Sequence, residues 1–420
     1  MDISILVYVL LIIAVAKAMG ELVTRVNQPP VVGELLAGII LGPFVLGAII
    51  NELNTMYTDE FIQGLADLGI LLLMLHIGLE FSPKRLIASS KIGVPIAIAG
   101  IVVPMVFVYA GNYLFGLSGS VLLFVALAVA VTALPVTIKI LKDMEVLHTE
   151  TSSRIVSAAV ITDIALLLAI GIVLGTHSET AQTNEVAYLA IGYIIFFILA
   201  FLVSRYIVPQ LYRVLRWMRT GEAAFAIAIG VAIGFAVFAR FVGLPDFMGA
   251  FIAGMILRET GTGLKVWTRV EDILSGITIG FLAPIFFVLM GFTVDFGAVF
   301  GSDISVIFLF CFIFFVAISG KIIGTLIPAR IAKLGKNESL AIGFMMIGKG
   351  EMALVISQVG FDNGTIDPTM FSILVLTAFI LTALSPIMFK RYFNRAVLAH
   401  EIVPTKEEID ETLRDNEIAS

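Results

Sequence analysis

The stretch Ile155-Val156-Ser157-Ala158-Ala159-Val160-Ile161-Thr162-Asp163-Ile164-Ala165-Leu166-Leu167-Leu168-Ala169 runs on to Gly175 with a single charge, Asp163. A helix of that length rises about 30 Å, the thickness of a bilayer's hydrocarbon core. The carboxylate therefore falls near the midplane. There an ionisable group costs several kcal/mol, and it is a functional-site hypothesis by default. Lys321, inside the apolar run 306–327, is a second such group. One buried acid and one buried base on separate apolar segments suggest an ion pathway. A structural salt bridge between them is the alternative.

Composition agrees with a membrane protein. Hydrophobic residues make up 59% of the 420-residue chain and charged residues 14%, with mean hydropathy +1.06. Soluble domains carry about a quarter charged residues. The N-terminus lacks the basic region of a cleavable signal. Thirteen apolar windows are long enough to span, or nearly so: 3–22, 30–50, 61–79, 93–115, 119–141, 155–175, 186–207, 222–241, 245–257, 273–291, 304–328, 338–360 and 368–389. With this count, 22 of the 26 Lys and Arg fall in alternate loops or the tail. The positive-inside rule then puts the N-terminus outside and the C-terminus in the cytoplasm. Residues 393–420 form a polar, acid-rich cytoplasmic tail. Cys311 is the lone cysteine, so no disulfide or cysteine metal cluster is expected, and the four His lack ligand spacing. No glycine fingerprint of a nucleotide-binding domain occurs. No cofactor, nucleic-acid partner or enzymatic activity is expected.

An internal repeat organises the spans. Pro29, Gly33, Ala37, Gly38, Ile40 and Leu41 recur at a constant offset as Pro245, Gly249, Ala253, Gly254, Ile256 and Leu257. Leu65-Ala66 recurs as Leu282-Ala283, and Gly78 as Gly291. Spans 1–6 and 8–13 are thus two copies joined by span 7. An odd number of crossings separates their starts, so the copies are inverted, as in many secondary transporters. Both copies carry an interrupted span. Span 5 reads Thr132-Ala133-Leu134-Pro135-Val136-Thr137, where proline removes a backbone donor. Span 12 reads Gly348-Lys349-Gly350-Glu351, two glycines and two charges in one short run. Irregular backbone at this depth is tolerated only where it is buried or lines a cavity. A simple proline kink remains the alternative for span 5.

At these residues the chain resembles the monovalent cation:proton antiporter-2 family, which includes Kef-type membrane domains. The resemblance covers nearly all of residues 1–392. It rests on Gln28-Pro29-Pro30-Val31-Val32-Gly33-Glu34, Gly78-Leu79-Glu80, Thr132 to Val136, Asp163, Gly320-Lys321 and Gly350 to Val355. It implies an all-α fold with crossed discontinuous helices, a homodimer, and a core that moves like an elevator. The implied scaffold covers 1–80 and 220–292, the core 92–176 and 303–390, and the linker helix 186–207. Two departures stand out. Electrogenic members often carry two adjacent acids, but here Thr162 precedes Asp163. Lys349 stands where many members have arginine.

The expected function is exchange of Na⁺ or K⁺ for protons at the cell membrane. Burial raises a carboxyl pKa and a nearby cation lowers it, so the balance lets proton and cation compete for Asp163. Hydroxyls of Thr132 and Thr162 would complete an oxygen shell. Lys321 would compensate the empty site, and Lys349 and Glu351 the half-helix ends of span 12. Pro135, Gly348 and Gly350 mark the helix breaks. One carboxylate implies one proton per cation, hence electroneutral exchange; a proton released by Lys321 as well would make it electrogenic. His76, Asp67, Glu80 and Glu34 are read as packing or mouth residues, with pH sensing the alternative for His76. Competing readings are an ion-coupled symporter of a small organic anion, a cation channel, and an intramembrane aspartyl protease. The last needs two catalytic acids, one usually in Gly-x-Gly-Asp, and no such motif occurs.

Overall fold

The structure, a computed structural model, describes residues 3–26, 28–43, 45–50, 53–80, 83–177, 184–210, 221–261, 265–292, 297–301 and 303–402. The acidic tail beyond residue 402 lies outside them. Among the described residues the regular structure is entirely helical, and ten stretches are long and apolar enough to cross a membrane. The protein is a multi-pass membrane protein.

In chain order the main helices are α1 (Ile3–Arg25), α2 (Pro30–Leu41), α3 (Glu60–Glu80), α4 (Pro83–Gly111), α5 (Gly119–Ala130), α6 (Leu134–Asp143), α7 (Glu150–His177) and α8 (Asn184–Leu202). Then come α9 (Gly221–Phe241), α10 (Asp246–Gly261), α11 (Lys265–Ile277), α12 (Ala283–Phe292), α13 (Ile304–Ile331), α14 (Lys336–Met346), α15 (Gly350–Asp362) and α16 (Pro368–Leu398). Each of the thirteen apolar windows carries helix. α4 and α7 start earlier than hydropathy suggests, because their first turns are polar helix that an apolar window does not register. Lys139 and Arg154, two of the 22 cations that the charge count assigns to loops or the tail, lie within α6 and α7. Lys139 is 1% exposed and pairs with Asp143 one turn on.

The chain forms two compact units. The first comprises 1–26, 30–84 and 164–294, and the second 27–29, 85–163 and 295–420. The division inside α7 follows Asp163, so residues 164–176 and 186–207 belong to the first unit, where the sequence suggested core and linker.

The repeat is legible in the packing of the first unit. A Cβ on Gly33 of α2 would strike the backbone of Met19 in α1, and a Cβ on Gly249 of α10 would strike that of Phe235 in α9. The second pair stands at the repeat offset from the first. A Cβ on Gly38 would come 2.7 Å from Gly291 Cα, and one on Gly254 would come 2.8 Å from Gly78 Cα. In each case helix two of one copy crosses helix three of the other, where only hydrogen fits between the backbones. Lipid leaves no hydrophobic drive between helices, and such close approach supplies dispersion contact instead. Buried Glu34, in α2, lies 3.7 Å from Lys17 Nζ, which donates to Ile279 O.

In the second unit the repeat appears as two interrupted spans. α5 ends at Ala130 and α6 starts at Leu134; α14 ends at Met346 and α15 starts at Gly350. The breaks, 131–133 and 347–349, match each other at that same offset. Val131 and Ala133 are extended, and Pro135 sits in the first turn of α6, where a missing N–H costs nothing. Gly350 has φ +51°, a left-handed conformation that glycine takes without strain. α14, α15 and α13 all pack on α16.

Candidate functional site

The two breaks touch. Ala133 N donates to Gly348 O at 3.0 Å, and Thr132 Oγ1 donates to Met346 O at 2.8 Å. A Cβ on Gly350 would collide with the side chains of Ala133 and Val136, so glycine is required for this approach as well as for its φ. Each break frees backbone groups that water cannot reach, and the crossing must satisfy them from within.

Two lysines serve the C-terminal end of α5. Lys321 Nζ, from α13, donates to Ala130 O at 2.5 Å. Lys349 Nζ donates to Val129 O and to Val131 O, the latter at 3.1 Å. Both side chains are fully or almost fully buried. Cations at a helix C-terminus complement the partial negative charge of the unpaired carbonyls. The sequence assigned Lys349 to the half-helix ends of its own span. It instead reaches across to the other interrupted helix, because the breaks cross and the carbonyls of α5 lie within its span.

Asp163 is 0% exposed, and neither carboxyl oxygen makes a hydrogen bond within the protein. It lies in the field of Lys321 and of the Leu134 amide, the first of α6. The direct salt bridge left open by the sequence is not formed: neither Asp163 oxygen has a hydrogen-bond partner, and the Lys321 ammonium donates to Ala130 O. Thr132 and Thr162 are also fully buried. Thr162 Oγ1 donates to Ala158 O in its own helix, so its proton is committed while oxygen lone pairs remain. The side chain of Glu351 lies outside the described residues, as does that of Glu80. His76 is buried in the first unit, as is Glu34.

The sequence reading missed several groups. Thr382 Oγ1, on α16, accepts the amides of Lys349 (3.2 Å) and Gly350 (3.0 Å). Ser385 Oγ, nearly one turn on, donates to Met345 O at 3.2 Å. Farther along, Glu338 of α14 is 2% exposed and accepts from Arg154 Nη1 (2.5 Å) and Thr151 Oγ1 (2.8 Å), both on α7. Glu401 accepts from Glu338 N at 2.9 Å and Asn337 Nδ2 at 3.0 Å, at the start of α14. The available signal was small hydroxyls inside the apolar run 373–386, and an acid in the first turn of a span.

Chemically, the described side chains and backbone at the crossing present one unpartnered buried carboxyl, hydroxyl and carbonyl oxygens, and two ammonium groups. Among the described residues no cluster of three or more His, Cys, Asp or Glu could hold a resident metal.

Comparison with known proteins gives the family and the fold. A model of the sodium/hydrogen exchanger transmembrane family matches residues 9–395. The chain is 30% identical to the probable Na⁺/H⁺ antiporter GerT of Bacillus cereus, over 91% of this chain and 97% of that one. It is 29% identical to a Na⁺/H⁺ antiporter of Enterococcus hirae, over 93% and 99%. It is 28% identical to the Na⁺/H⁺-K⁺ antiporter GerN of Bacillus cereus, over 94% and 97%. In fold it is similar to the sodium proton antiporter MjNhaP1 of Methanocaldococcus jannaschii, with TM-score 0.69, 14% identity, and coverage of 96% of this chain and 100% of that one.

Proposed function

The chain belongs to the sodium/hydrogen exchanger family, and we propose that it is a secondary antiporter exchanging a monovalent cation, Na⁺ or K⁺, for protons. One observation carries the reading: both oxygens of Asp163 are buried without a hydrogen-bond partner beside two crossed helix breaks. A buried polar group is ordinarily satisfied. A carboxyl left open here has a proton or a dehydrated cation as its partner, and the two exclude one another.

The cation is cargo, and no cofactor or enzymatic step enters the cycle. Hard cations take oxygen ligands. Asp163 supplies the charge, with oxygen lone pairs of Thr132 and Thr162 and carbonyls freed at the α5 break as candidates to complete the shell. The ammonium groups of Lys321 and Lys349 hold the α5 end, and that of Lys321 keeps positive charge near the carboxylate when it is unloaded. A bare carboxylate in a low-dielectric core is costly. Only the loaded forms then cross readily, and that restriction converts competition into antiport. With one titrating carboxyl the exchange is one for one and electroneutral. We further assign an elevator-like movement of the transport core, a homodimer, residence in the plasma membrane, an outside N-terminus and a cytoplasmic tail. Relatives named for Na⁺ and for both Na⁺ and K⁺ support either cation as cargo.

The test is proton flux in proteoliposomes with Na⁺, K⁺ and Li⁺ titrated separately. Wild type should show cation-driven, voltage-independent flux, and Asp163→Asn none. Flux retained in Asp163→Asn would remove the assignment. A voltage dependence would remove electroneutrality.

A further inference from the structure

Asp163 and Thr382 hold matching places in the two copies. Asp163 faces the first amide of α6, Leu134, and Thr382 accepts the first amide of α15, Gly350. Leu134 and Gly350 stand at the offset of the repeat. Asp163 and Thr382 depart from that offset by no more than the 13-residue α15 exceeds the 10-residue α6. A neutral hydroxyl therefore stands in the second copy where the first has its carboxylate.

The Thr382 hydroxyl is fully used. It donates to Ala378 O at 2.7 Å, and its oxygen takes both the Lys349 and the Gly350 amides. An alcohol has one donor and two acceptor positions, so nothing is left for a transported ion. Both amides belong to the backbone that carries the Lys349 ammonium onto Val129 O and Val131 O. Ser385 fixes the other side of the same break through Met345 O.

We propose that Thr382 is a positioning residue for cation exchange: by holding the Lys349 and Gly350 amides, it fixes the Lys349 ammonium on the carbonyl end of α5 and so fixes the carbonyls at the break that are candidate ligands of the cation. The role rests on the antiport reading above. Without the hydroxyl, two buried amides lose their acceptor and the Lys349 backbone is released. The carbonyls at the end of α5 then lose the ammonium that holds them, so cation affinity falls more than turnover.

The experiment uses full-length protein with two readouts. One is the apparent KM and Vmax for Na⁺- or K⁺-driven proton flux in proteoliposomes. The other is hydrogen–deuterium exchange of peptides covering 345–352 in the purified protein. Thr382→Val should raise the cation KM by about tenfold, the equivalent of one hydrogen bond, with a smaller change in Vmax and faster deuterium uptake in those peptides. Thr382→Ser restores the acceptor and should match wild type in both. In a Lys349→Met background, Thr382→Val should add nothing to the KM. Wild-type KM and uptake in Thr382→Val, or Thr382→Ser behaving like valine, would overturn the proposal. If the valine variant does not fold, Thr382→Cys, a weaker acceptor, should give an intermediate KM and uptake; wild-type values there overturn it equally. If wild type itself shows no cation-driven flux, the antiport reading fails. The uptake arm then still decides whether Thr382 holds the break.

Discussion

Asp163→Asn separates a transport carboxyl from a structural ion pair by stability as well as by activity. The substitution keeps shape and removes charge. Three terms enter. Taking an ionised carboxylate out of water costs several kcal/mol even after relaxation, and Asn removes that cost. Against it stands the lost attraction to Lys321. At 4 Å and an effective dielectric constant of 20 that attraction is about 4 kcal/mol. This is an upper bound here, because the ammonium is bound to Ala130 O and the two groups form no direct pair. The buried amide of Asn also lacks partners, a penalty of about 1–3 kcal/mol. These terms offset, and the variant should lie within about 2 kcal/mol of wild type. A structural bridge behaves otherwise: removing one partner of a buried pair costs about 3–5 kcal/mol. At about 2–4 °C per kcal/mol for domains of 150–250 residues, that is a fall of about 6–20 °C in melting temperature. The assay is thermal unfolding of the purified protein in detergent, beside proton flux in vesicles. Flux should vanish while the melting temperature moves by a few degrees at most. A large fall in melting temperature would refute the transport assignment and return Asp163 to a structural role.

On the proposed competition of protons and cations for Asp163, the apparent KM for Na⁺ or K⁺ should fall about tenfold per pH unit in the acid range and level off where Asp163 is ionised; a KM independent of pH would contradict competition. Glu338→Gln removes the charge that Arg154 and Thr151 meet, and should lower stability by about 1.5–3 kcal/mol, read as a drop in melting temperature with residual exchange; an unchanged melting temperature would show the network to be inert. Gly38→Ala and Gly254→Ala should destabilise by similar amounts, about 1–3 kcal/mol each, because each places a Cβ against backbone that cannot move aside. Unequal effects, with one variant wild-type-like, would mean that the two crossings are not equivalent.

The membrane class, the repeat and both breaks were legible because each has a local signature. Apolar windows have the length of a bilayer, Gly38 and Gly254 recur at one offset, and Pro135 and Gly350 announce interruptions. What lay beyond reach was three-dimensional pairing. Lys349 sits next to its own break in sequence but serves the carbonyls of α5, in the other copy of the repeat. Thr382 and Ser385 look like ordinary small polar residues on a packed helix until the break is laid against them. Lys139 reads as a loop cation by charge counting, yet it is buried in α6 because Asp143 lies one turn on and neutralises it.

The two copies provide matching backbone but unequal chemistry, and this explains why two repeats make one site. Both breaks have a carbonyl end and an amide end. In the first copy these ends meet charge: the α5 carbonyls take Lys321 and Lys349, and the α6 amide faces Asp163. In the second copy the ends meet neutral hydroxyls: the α14 carbonyls take Thr132 and Ser385, and the α15 amides take Thr382. A hydroxyl satisfies a half-helix end without creating a second anion, so among the described side chains Asp163 is the single carboxylate at the crossing. Had Thr382 been an acid, two carboxylates would face the same pair of ammonium groups. The charge balance of one proton per cation would then no longer follow.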